Sequence, residues 1–380
     1  MIYFDNAATT KLDDEVLKEM MPYLTNMYGN ASAIYELGRE SRKAVEDARE
    51  KVAKALNCEV GEVYFTSCGS ESDNTAIKGI AKANKEKGNH IITSKIEHPA
   101  VIETCEQLKK EGFEITYIGV DEKGIVDLEK IKRAIKPTTI LISIMFANNE
   151  IGTIQPINEI GKIAKEHEIV FHTDAVQAIG NVRIDVKDMN IDSLSLSGHK
   201  FYGPKGVGVL YVKRGIEFQN FINGGHQERN KRAGTENVAG IVGIGKAIEL
   251  AYQNLDKHNK KITELRDYFI NQIIKKIPKV KVNGDMASRL PGNANISFEG
   301  VDAEGLLLNL DLKKICASSG SACSAGSLEP SRVLLAIGLE KEIAKSSLRV
   351  TIGKYNTKKE VDYLIEILEE IVARLRKINA

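Results

Sequence analysis

The chain has 380 residues, which at ~150 residues per domain predicts two domains. Its 53 Lys and Arg residues balance 52 Asp and Glu residues, which argues against a broad nucleic-acid-binding surface, because such a surface needs a basic excess. The longest strongly apolar stretch, 140–147, is far shorter than the ~20 residues of a membrane-spanning helix. Five cysteines without a C-x-x-C pair disfavour a disulfide framework or a cysteine zinc site. With no signal-peptide pattern at the N-terminus, we expect a cytoplasmic globular protein.

Strand-like and helix-like segments alternate through the first 250 residues. Helical spacing of apolar residues predicts helices over 36–57, 70–86, 99–110 and 157–167. Seven short apolar runs predict strands at 62–65, 90–93, 115–120, 140–146, 169–172, 193–197 and 207–212. This alternation predicts an α/β fold, with a mostly parallel sheet covered by helices on both faces.

The pattern changes after about residue 250. A long charged helix is predicted over 241–276, and a final helix begins at Thr357 with Glu360 completing a capping box. Between them we predict strands at 280–283 and 294–298 and a helix at 303–310. We therefore expect a large domain over 13–255 and a smaller α+β domain formed by 1–12 and 256–380.

Lys200 follows a predicted strand directly, in the stretch Ser-Leu-Ser-Gly-His-Lys. Open α/β sheets bind their ligands at the carboxyl ends of strands. A lysine at that edge, followed by a Gly-Pro-Lys-Gly turn, suits a Schiff base to an aldehyde cofactor. The alternative for a lone lysine is a solvated surface position.

Asp174 follows another predicted strand and is expected at the same edge of the sheet. A carboxylate there can pair with a protonated ring nitrogen and strengthen the ring as an electron sink. Gln177 would reach the same side of a ligand if a helix begins there. Two alternatives stay open, namely a helix N-cap role for Asp174 and a metal site formed with His172 and His199, for which further ligands are not evident.

Three further polar positions follow predicted strands. Gly69 and Ser70 lie in a small-residue turn that opens a helix, an arrangement that binds anions, although Ser70 is equally plausible as an ordinary N-cap. The turn has no Walker A pattern. His98 is placed to stack on a ring or to move protons, or is simply a packed histidine. Asn149 is expected at the same rim.

Cys323 lies in a run of small residues over 317–327 that cannot bury much surface. Without apolar neighbours, it is the best candidate for a reactive thiol, and the alternative is an incidental cysteine in a loose loop. The apolar surroundings of Cys316 predict a packed residue instead. Cys58, Cys68 and Cys105 are expected to be packing or incidental residues.

Together these stretches resemble the NifS/IscS type of cysteine desulfurase, within the pyridoxal-phosphate-dependent class V aminotransferase superfamily. The resemblance covers essentially the whole chain and is specific because nine short stretches occur in the same order. They are 3–10, 65–74, 97–99, 148–152, 172–177, 197–200, 232–237, 318–323 and 347–349.

The resemblance implies a fold type I transferase, with a mostly parallel seven-stranded sheet in the large domain, and pyridoxal 5'-phosphate as cofactor. It implies conversion of L-cysteine to L-alanine, with the sulfur passing to Cys323 as a persulfide. By this resemblance, Lys200 forms the Schiff base, Asp174 contacts the ring nitrogen and Gln177 contacts the ring hydroxyl. His98 is expected to stack on the ring and to transfer protons. The phosphate is expected to be held by Gly69, Ser70, Ser197 and His199. The resemblance also implies that Asn149 and Arg349 bind the substrate. Asn149 is expected to contact the cofactor as well, and Arg349 to bind the substrate carboxylate.

Partners are also implied by the resemblance. Thr235 is expected to reach the phosphate of a second subunit's cofactor, which implies a homodimer. The long Ser/Gly loop resembles the group that serves iron–sulfur scaffold proteins, where Cys323 transiently shares a cluster; no resident metal, nucleic acid or membrane is expected. Two residues depart from the family pattern, because Tyr35 replaces a histidine and Ser70 replaces a threonine.

Three competing functions remain. A selenocysteine lyase or other class V aminotransferase-like enzyme would not require Cys323. A non-catalytic docking module need not keep Lys200 with Asp174. A nicotinamide dehydrogenase would carry G-x-G-x-x-G after its first strand, and this chain does not.

Overall fold

The computed structural model describes residues 1–319 and 330–378. Its strands are β1 (Ile2–Tyr3), β2 (Val63–Thr66), β3 (His90–Ser94), β4 (Glu114–Ile118), β5 (Thr139–Ser143), β6 (Val170–Asp174), β7 (Ser193–Ser197), β8 (Gly208–Val212), β9 (Val280–Val282), β10 (Asn293–Phe298), β11 (Ile315–Cys316) and β12 (Ser347–Thr351). Its longer helices are α1 (Asp14–Thr25), α2 (Glu36–Leu56), α3 (Gly69–Ala83), α4 (Pro99–Lys110), α5 (Leu128–Ala134) and α6 (Ile157–Glu166). A single turn, α7 (Gln227–Asn230), is followed by α8 (Val238–Gln253), α9 (Leu255–Lys276), α10 (Ala303–Leu312), α11 (Arg332–Ala336), α12 (Lys341–Lys345) and α13 (Lys358–Ile378).

The main sheet has seven strands in the order β2-β8-β7-β6-β5-β3-β4. The run from β4 to β7 is parallel, and β8 and β2 are antiparallel to their neighbours. All five residues of β5 are buried, as expected for a central strand covered on both faces. The predicted α/β fold with a mostly parallel seven-stranded sheet is confirmed.

The predicted helix over 241–276 is wrong as a single element, because the chain forms α8 and α9 with a break at Asn254. The Asn254 side-chain amide donates to the Leu250 carbonyl (3.1 Å) and so competes with continuing backbone bonds. The capping box of α13 is confirmed, since the Glu360 carboxylate accepts from Thr357 N and the Thr357 hydroxyl accepts from Glu360 N.

The buried apolar residues form separate clusters. The largest lies around the main sheet and includes residues from Val16 to Ile248. A second contains Phe4 together with residues from Ile262 to Val372, around the antiparallel strands β9, β10 and β12. This separation supports the division near residue 255, which remains a prediction. Within the described ranges, no helix is both long and apolar enough to cross a bilayer.

A buried ion pair joins α2, β2 and α7. The Glu228 carboxylate accepts from Arg49 Nη1 (2.7 Å) and Nη2 (2.9 Å) and from Phe65 N (2.8 Å). Glu228 and Arg229 have φ of 44° and 57°, a strained conformation that persists only where surrounding contacts hold it.

Glu228→Gln should lower the free energy of unfolding by about 3–5 kcal/mol, because the Arg49 guanidinium loses its buried anionic partner and keeps the more exposed Glu46 carboxylate at Nε (3.3 Å). Denaturant unfolding followed by circular dichroism measures this loss. Glu369→Gln, which breaks the exposed pair with Lys276 (3.0 Å), is the matched control and should cost under about 1 kcal/mol. Similar losses in the two variants would contradict the prediction.

Candidate active site

A cavity of about 620 Å³ opens at the carboxyl ends of β6 and β7 and the N-termini of α3 and α4. It brings together ten of the predicted site residues. They are Gly69, Ser70, His98, Asn149, Asp174, Gln177, Ser197, His199, Lys200 and Arg349.

Lys200 lies at the end of a short helical turn that follows β7. Its Nζ donates to the carbonyl oxygens of Ala7 (2.6 Å) and Ala8 (2.8 Å). A second cavity of about 360 Å³ shares Ala7, Gln177 and Lys200 with the first, so the lysine lies in the wall between the two. The structure thus places the amine inside the molecule rather than in the solvated surface position of the alternative.

Asp174 ends β6 and is 6% exposed. One carboxylate oxygen accepts from Val176 N (2.9 Å). Burial raises the pKa of Asp174, while His98, the Val176 amide and Lys200 act in the opposite direction. The residues after it form a turn, so neither an N-cap role for Asp174 nor the helix considered for Gln177 is present. The Gln177 side chain instead donates to Ala7 O (3.0 Å).

His98 is the N-cap of α4, and its Nδ1 accepts from Ala100 N (3.1 Å). A neutral His98 ring therefore carries its proton on Nε2. Burial lowers the pKa of His98, and Lys200 and Arg332 add to this effect while Asp174 opposes it. Burial thus favours the neutral ring, which presents an N–H donor at Nε2.

The N-terminus of α3 faces the cavity without a side-chain cap, and its N-cap residue is Cys68. The alternative in which Ser70 is an ordinary N-cap is therefore wrong, because Ser70 lies inside the first turn. A Cβ at Gly69 would come within 2.7 Å of Val176 Cγ2, so a larger residue here would require Val176 to shift. Unsatisfied N–H groups at a helix start attract an anion.

Two further residues line the same end of the cavity. Ser197 is buried at the end of β7, and His199 Nδ1 lies 3.0 Å from the Thr9 hydroxyl. Burial, followed by the charge of Lys200, lowers the pKa of His199 to about 4. A neutral His199 still offers a hydrogen bond to an anion.

Arg349 lies on β12 and is 1% exposed. Its Nη2 donates to Asp5 (2.8 Å) and its Nη1 to the Asn149 carbonyl (3.1 Å). The loop of Asn149 is fixed by buried Asn148, whose side-chain oxygen accepts from Glu150 N (2.9 Å) and Ile151 N (3.0 Å). A guanidinium held in this way matches the two oxygens of a carboxylate.

One predicted residue that the structure describes is not brought into this cavity: Thr235 is exposed and does not line it. Cys323 lies outside the described residues. Cys316 is only half-buried, contrary to expectation, whereas burial raises the pKa of both Cys58 and Cys105 to about 12, which makes their thiols poor nucleophiles.

Sequence reasoning missed five ionisable residues of the cavity wall, namely Asp73, Glu97, Glu103, Glu150 and Arg332. Glu97 Oε1 accepts from Met145 N (2.9 Å), and burial raises the pKa of this carboxyl to about 8. Arg332 donates to the Glu97 carbonyl (2.7 Å). Asp73 and Glu97 lie inside stretches that match the family, so the family match could have identified them as site residues. No sequence pattern identified Arg332.

His172 does not take part in the metal site considered from the sequence. It is fully buried between the hydroxyls of Ser143 (2.9 Å) and Ser195 (3.0 Å). In the described part of the chain, no group of three or more His, Cys, Asp or Glu side chains is arranged to hold a metal ion.

Comparison with known proteins places this geometry in a family. The Aminotransferase class-V family matches residues 2–364. A protein named cysteine desulfurase IscS from Clostridium botulinum (strain Hall) is 58% identical over 380 residues, covering 100% of this chain and 96% of its own length. The cysteine desulfurase IscS of Dictyoglomus turgidum is 55% identical over 378 residues, with 100% and 96% covered.

A solved structure described as a NifS-like protein superposes with a TM-score of 0.93 at 38% identity, covering 98% of this chain and 99% of that one. These similarities confirm the resemblance drawn from the nine short stretches. The chain therefore belongs to the class-V aminotransferase family and, within it, groups with relatives that are named cysteine desulfurases.

Proposed function

We propose that this protein is a cysteine desulfurase that uses pyridoxal 5'-phosphate to convert L-cysteine to L-alanine and transfers the sulfur to Cys323. The observation that carries the proposal is the meeting of Lys200, Asp174 and the uncapped start of α3 in one cavity. An amine, a buried carboxylate and an anion site are what an aldehyde cofactor with a ring nitrogen and a phosphate requires. The names of the full-length relatives support the same reaction.

The residues present fit this cofactor. Ser70, Ser197, His199 and the first N–H groups of α3 would hold the phosphate, Asp174 would face the ring nitrogen, and His98 would lie against the ring. Lys200 would supply the amine, and Gln177 and Asn149 would contact the ring substituents. When bound, the cofactor supplies an electron sink for the carbon atoms of the substrate.

The protein's own side chains would bind the substrate and carry out the proton and sulfur transfers. Arg349 and Asn149 would hold the carboxylate of L-cysteine, and Lys200 Nζ would take the proton from its Cα. The Cys323 thiolate attacks the substrate sulfur, so an S–S bond forms while the Cβ–S bond breaks. The electron pair of that bond passes to carbon, which gains a proton and becomes the methyl group of alanine.

The direct test is to incubate the purified protein with L-cysteine and a thiol reductant and to measure sulfide and alanine together. Equal amounts of the two products would support the proposal. Cofactor-loaded protein that forms neither product would overturn it and favour another class V reaction, such as a selenocysteine lyase, which the same assay with selenocysteine would detect.

Arg349→Lys should lower kcat/KM for L-cysteine roughly 10- to 100-fold, mostly through KM, because a point charge replaces a bidentate contact worth about 1.5–3 kcal/mol. Steady-state kinetics measure this change. Arg374→Lys, at an exposed position on α13 whose guanidinium donates to Asn309 and which does not line the cavity, is the matched control and should leave both constants unchanged. An unchanged KM in Arg349→Lys would show that the carboxylate binds elsewhere.

We infer that the protein forms a homodimer. Thr235 is exposed and outside its own cavity, as expected if it serves the cofactor of a second copy. Large apolar side chains are exposed along α1 and the loop after it; they are Leu17, Met21, Leu24, Tyr28, Ile34 and Tyr35. Leu17, Met21 and Leu24 share one face of α1, and an exposed apolar face of this kind marks an interaction site.

A double variant, Met21→Glu with Leu24→Glu, should therefore shift the protein from dimer to monomer in sedimentation velocity. Ile274→Glu is the control, because Ile274 is 54% exposed but lies on α9 of the second cluster. A wild-type protein that sediments at its chain mass of 41.9 kDa would contradict the homodimer.

The sulfur acceptor is the remaining part of the proposal. Following the resemblance, we propose an iron–sulfur scaffold protein in the cytoplasm as the acceptor, with Cys323 as the residue that meets it. Transfer of radioactive sulfur from L-cysteine to a candidate scaffold, measured on gels without reductant, would test this step.

A further inference from the structure

The segment that follows β1, residues 5–10, is bound to the cavity wall at both of its ends. At one end the Asp5 carboxylate accepts from Arg349 Nη2 (2.8 Å). At the other end the Thr10 hydroxyl donates to the His199 carbonyl (3.0 Å). The segment therefore runs from the proposed substrate-binding arginine to the short helical turn that follows β7.

The middle of this segment is a turn, closed by the Ala8 amide, which donates to the Asp5 carbonyl (3.0 Å). The carbonyl oxygens of Ala7 and Ala8 receive Lys200 Nζ at 2.6 Å and 2.8 Å. The Ala7 oxygen also accepts from the side-chain amide of Gln177 (3.0 Å). One turn thus contacts two of the residues that are proposed to hold the cofactor.

Thr351 of β12 fixes this turn. Its hydroxyl oxygen accepts from Ala7 N (2.9 Å), and its hydroxyl donates to the Phe4 carbonyl (3.2 Å). The Thr351 carbonyl in turn accepts from the Asn6 side chain (2.7 Å). Thr351 is 4% exposed and does not line the 620 Å³ cavity, so it acts on the site through the turn that it holds.

The two carbonyl oxygens suit the charged form of Lys200. A carbonyl oxygen accepts hydrogen bonds and donates none, whereas a lysine ammonium has three N–H donors and no acceptor. Hydrogen bonds from a charged donor are stronger than those from a neutral amine. The turn is therefore a binding place for a protonated Lys200 that is not bonded to a cofactor.

The proposed reaction produces this form of Lys200. The lysine first holds the cofactor, and it is released when the amine of the substrate takes its place. It then serves as the base for the substrate Cα. The Cα–H bond breaks, its electron pair passes to the electron sink, and the proton binds to Nζ, which becomes an ammonium.

We propose that Thr351 is a positioning residue for Lys200: it holds the turn so that the carbonyl oxygens of Ala7 and Ala8 bind the ammonium formed by this proton transfer. The inference rests on the proposed function, since Lys200 has to take the Cα proton. Binding of the ammonium makes Nζ a better proton acceptor and keeps the proton at a fixed place beside the substrate.

The first test is a crystal structure of the cofactor-loaded wild type with L-alanine, which has the amine and carboxylate of L-cysteine but no sulfur to transfer. We expect Lys200 Nζ within about 3.2 Å of the carbonyl oxygens of both Ala7 and Ala8. An Nζ beyond hydrogen-bond distance of either oxygen would overturn the proposal. This result needs no turnover, and it decides the question even if a Thr351 variant fails to fold.

The second test measures the exchange of the Cα proton of L-alanine in deuterium oxide by proton NMR. Thr351→Val keeps the branched shape but loses the hydroxyl. It should lower the exchange rate roughly 10-fold, the effect expected when one hydrogen bond to a charged group is weakened, with little change in the L-alanine concentration at half-maximal rate. Thr351→Ser keeps the hydroxyl and should restore the rate.

Thr139→Val is the matched control. The Thr139 hydroxyl also accepts from a backbone amide, that of Lys136 (2.8 Å), but it lies at the start of β5 and does not line the cavity. This variant should exchange at the wild-type rate. Wild-type exchange in Thr351→Val, or an equal loss in Thr351→Ser, would contradict the proposal.

These readouts separate the inference from the proposed function, because exchange on L-alanine requires neither Cys323 nor sulfide release. A protein that exchanges as expected but releases no sulfide would keep the role of Thr351 and lose the desulfurase reaction. A protein that releases sulfide while Thr351→Val exchanges normally would do the reverse.

Discussion

Lys200→Ala is expected to reduce sulfide and alanine formation by about 10³-fold or more, since it removes both the cofactor-binding amine and the base for the substrate Cα proton. The described residues that line the cavity offer no other lysine that could replace this amine. Lys200 is held at the cavity wall by the carbonyls of Ala7 and Ala8, and the neighbouring lysine, Lys205, does not line the cavity.

The variant should also lose the visible absorption of a lysine-bound aldehyde cofactor, which absorption spectroscopy measures independently of turnover. Lys205→Ala is the matched control, because Lys205 is exposed five residues further along the chain. It should keep both absorption and activity. A Lys200→Ala protein that still forms alanine at wild-type rate would overturn the assignment of the base.

Cys323→Ala is expected to leave less than about 1% of wild-type sulfide release, because Cys323 is the proposed nucleophile for the substrate sulfur. Cys58 and Cys105 do not offer a substitute, since burial raises the pKa of each thiol to about 12. The cofactor absorption should persist in this variant and should still change when L-cysteine is added. Loss of sulfur transfer would thereby be separated from loss of substrate binding.

Cys316→Ala is the matched control for Cys323→Ala. Cys316 lies on β11, and burial raises the pKa of its thiol, so its removal should leave sulfide release unchanged. Mass spectrometry after exposure to L-cysteine should find the added sulfur on Cys323 in the wild type. Sulfide release that survives Cys323→Ala would favour a lyase that does not need this thiol.

The parts of the site that could be predicted from sequence are those near the ends of parallel strands. Asp174 and Lys200 each follow an apolar run that the structure shows as β6 and β7, and adjacent parallel strands bring such residues to one edge. The predicted strand over 193–197 matches β7 (Ser193–Ser197). The local sequence pattern was enough to place these two residues together, because the sheet geometry determines that the ends of adjacent parallel strands lie at the same edge.

Other parts depend on contacts that no local pattern reveals. Arg349 lies on β12, which the periodicity did not predict, and it is oriented by Asp5 and the Asn149 carbonyl, 344 and 200 residues away in sequence. The resemblance supplied its role, but not these partners. Arg332 was missed because an arginine in a short helix carries no pattern of its own.

The pairing of the first strand with a late one has a consequence for synthesis. Ile2 pairs with Ile315, Phe4 packs in the cluster of the C-terminal helices, and Asp5 binds Arg349. A ribosome that adds ~5–20 residues per second reaches these partners roughly 15–70 s after the N-terminus emerges. During that interval the apolar N-terminal segment has none of its partners, so a nascent-chain chaperone that shields it should raise the yield of active protein.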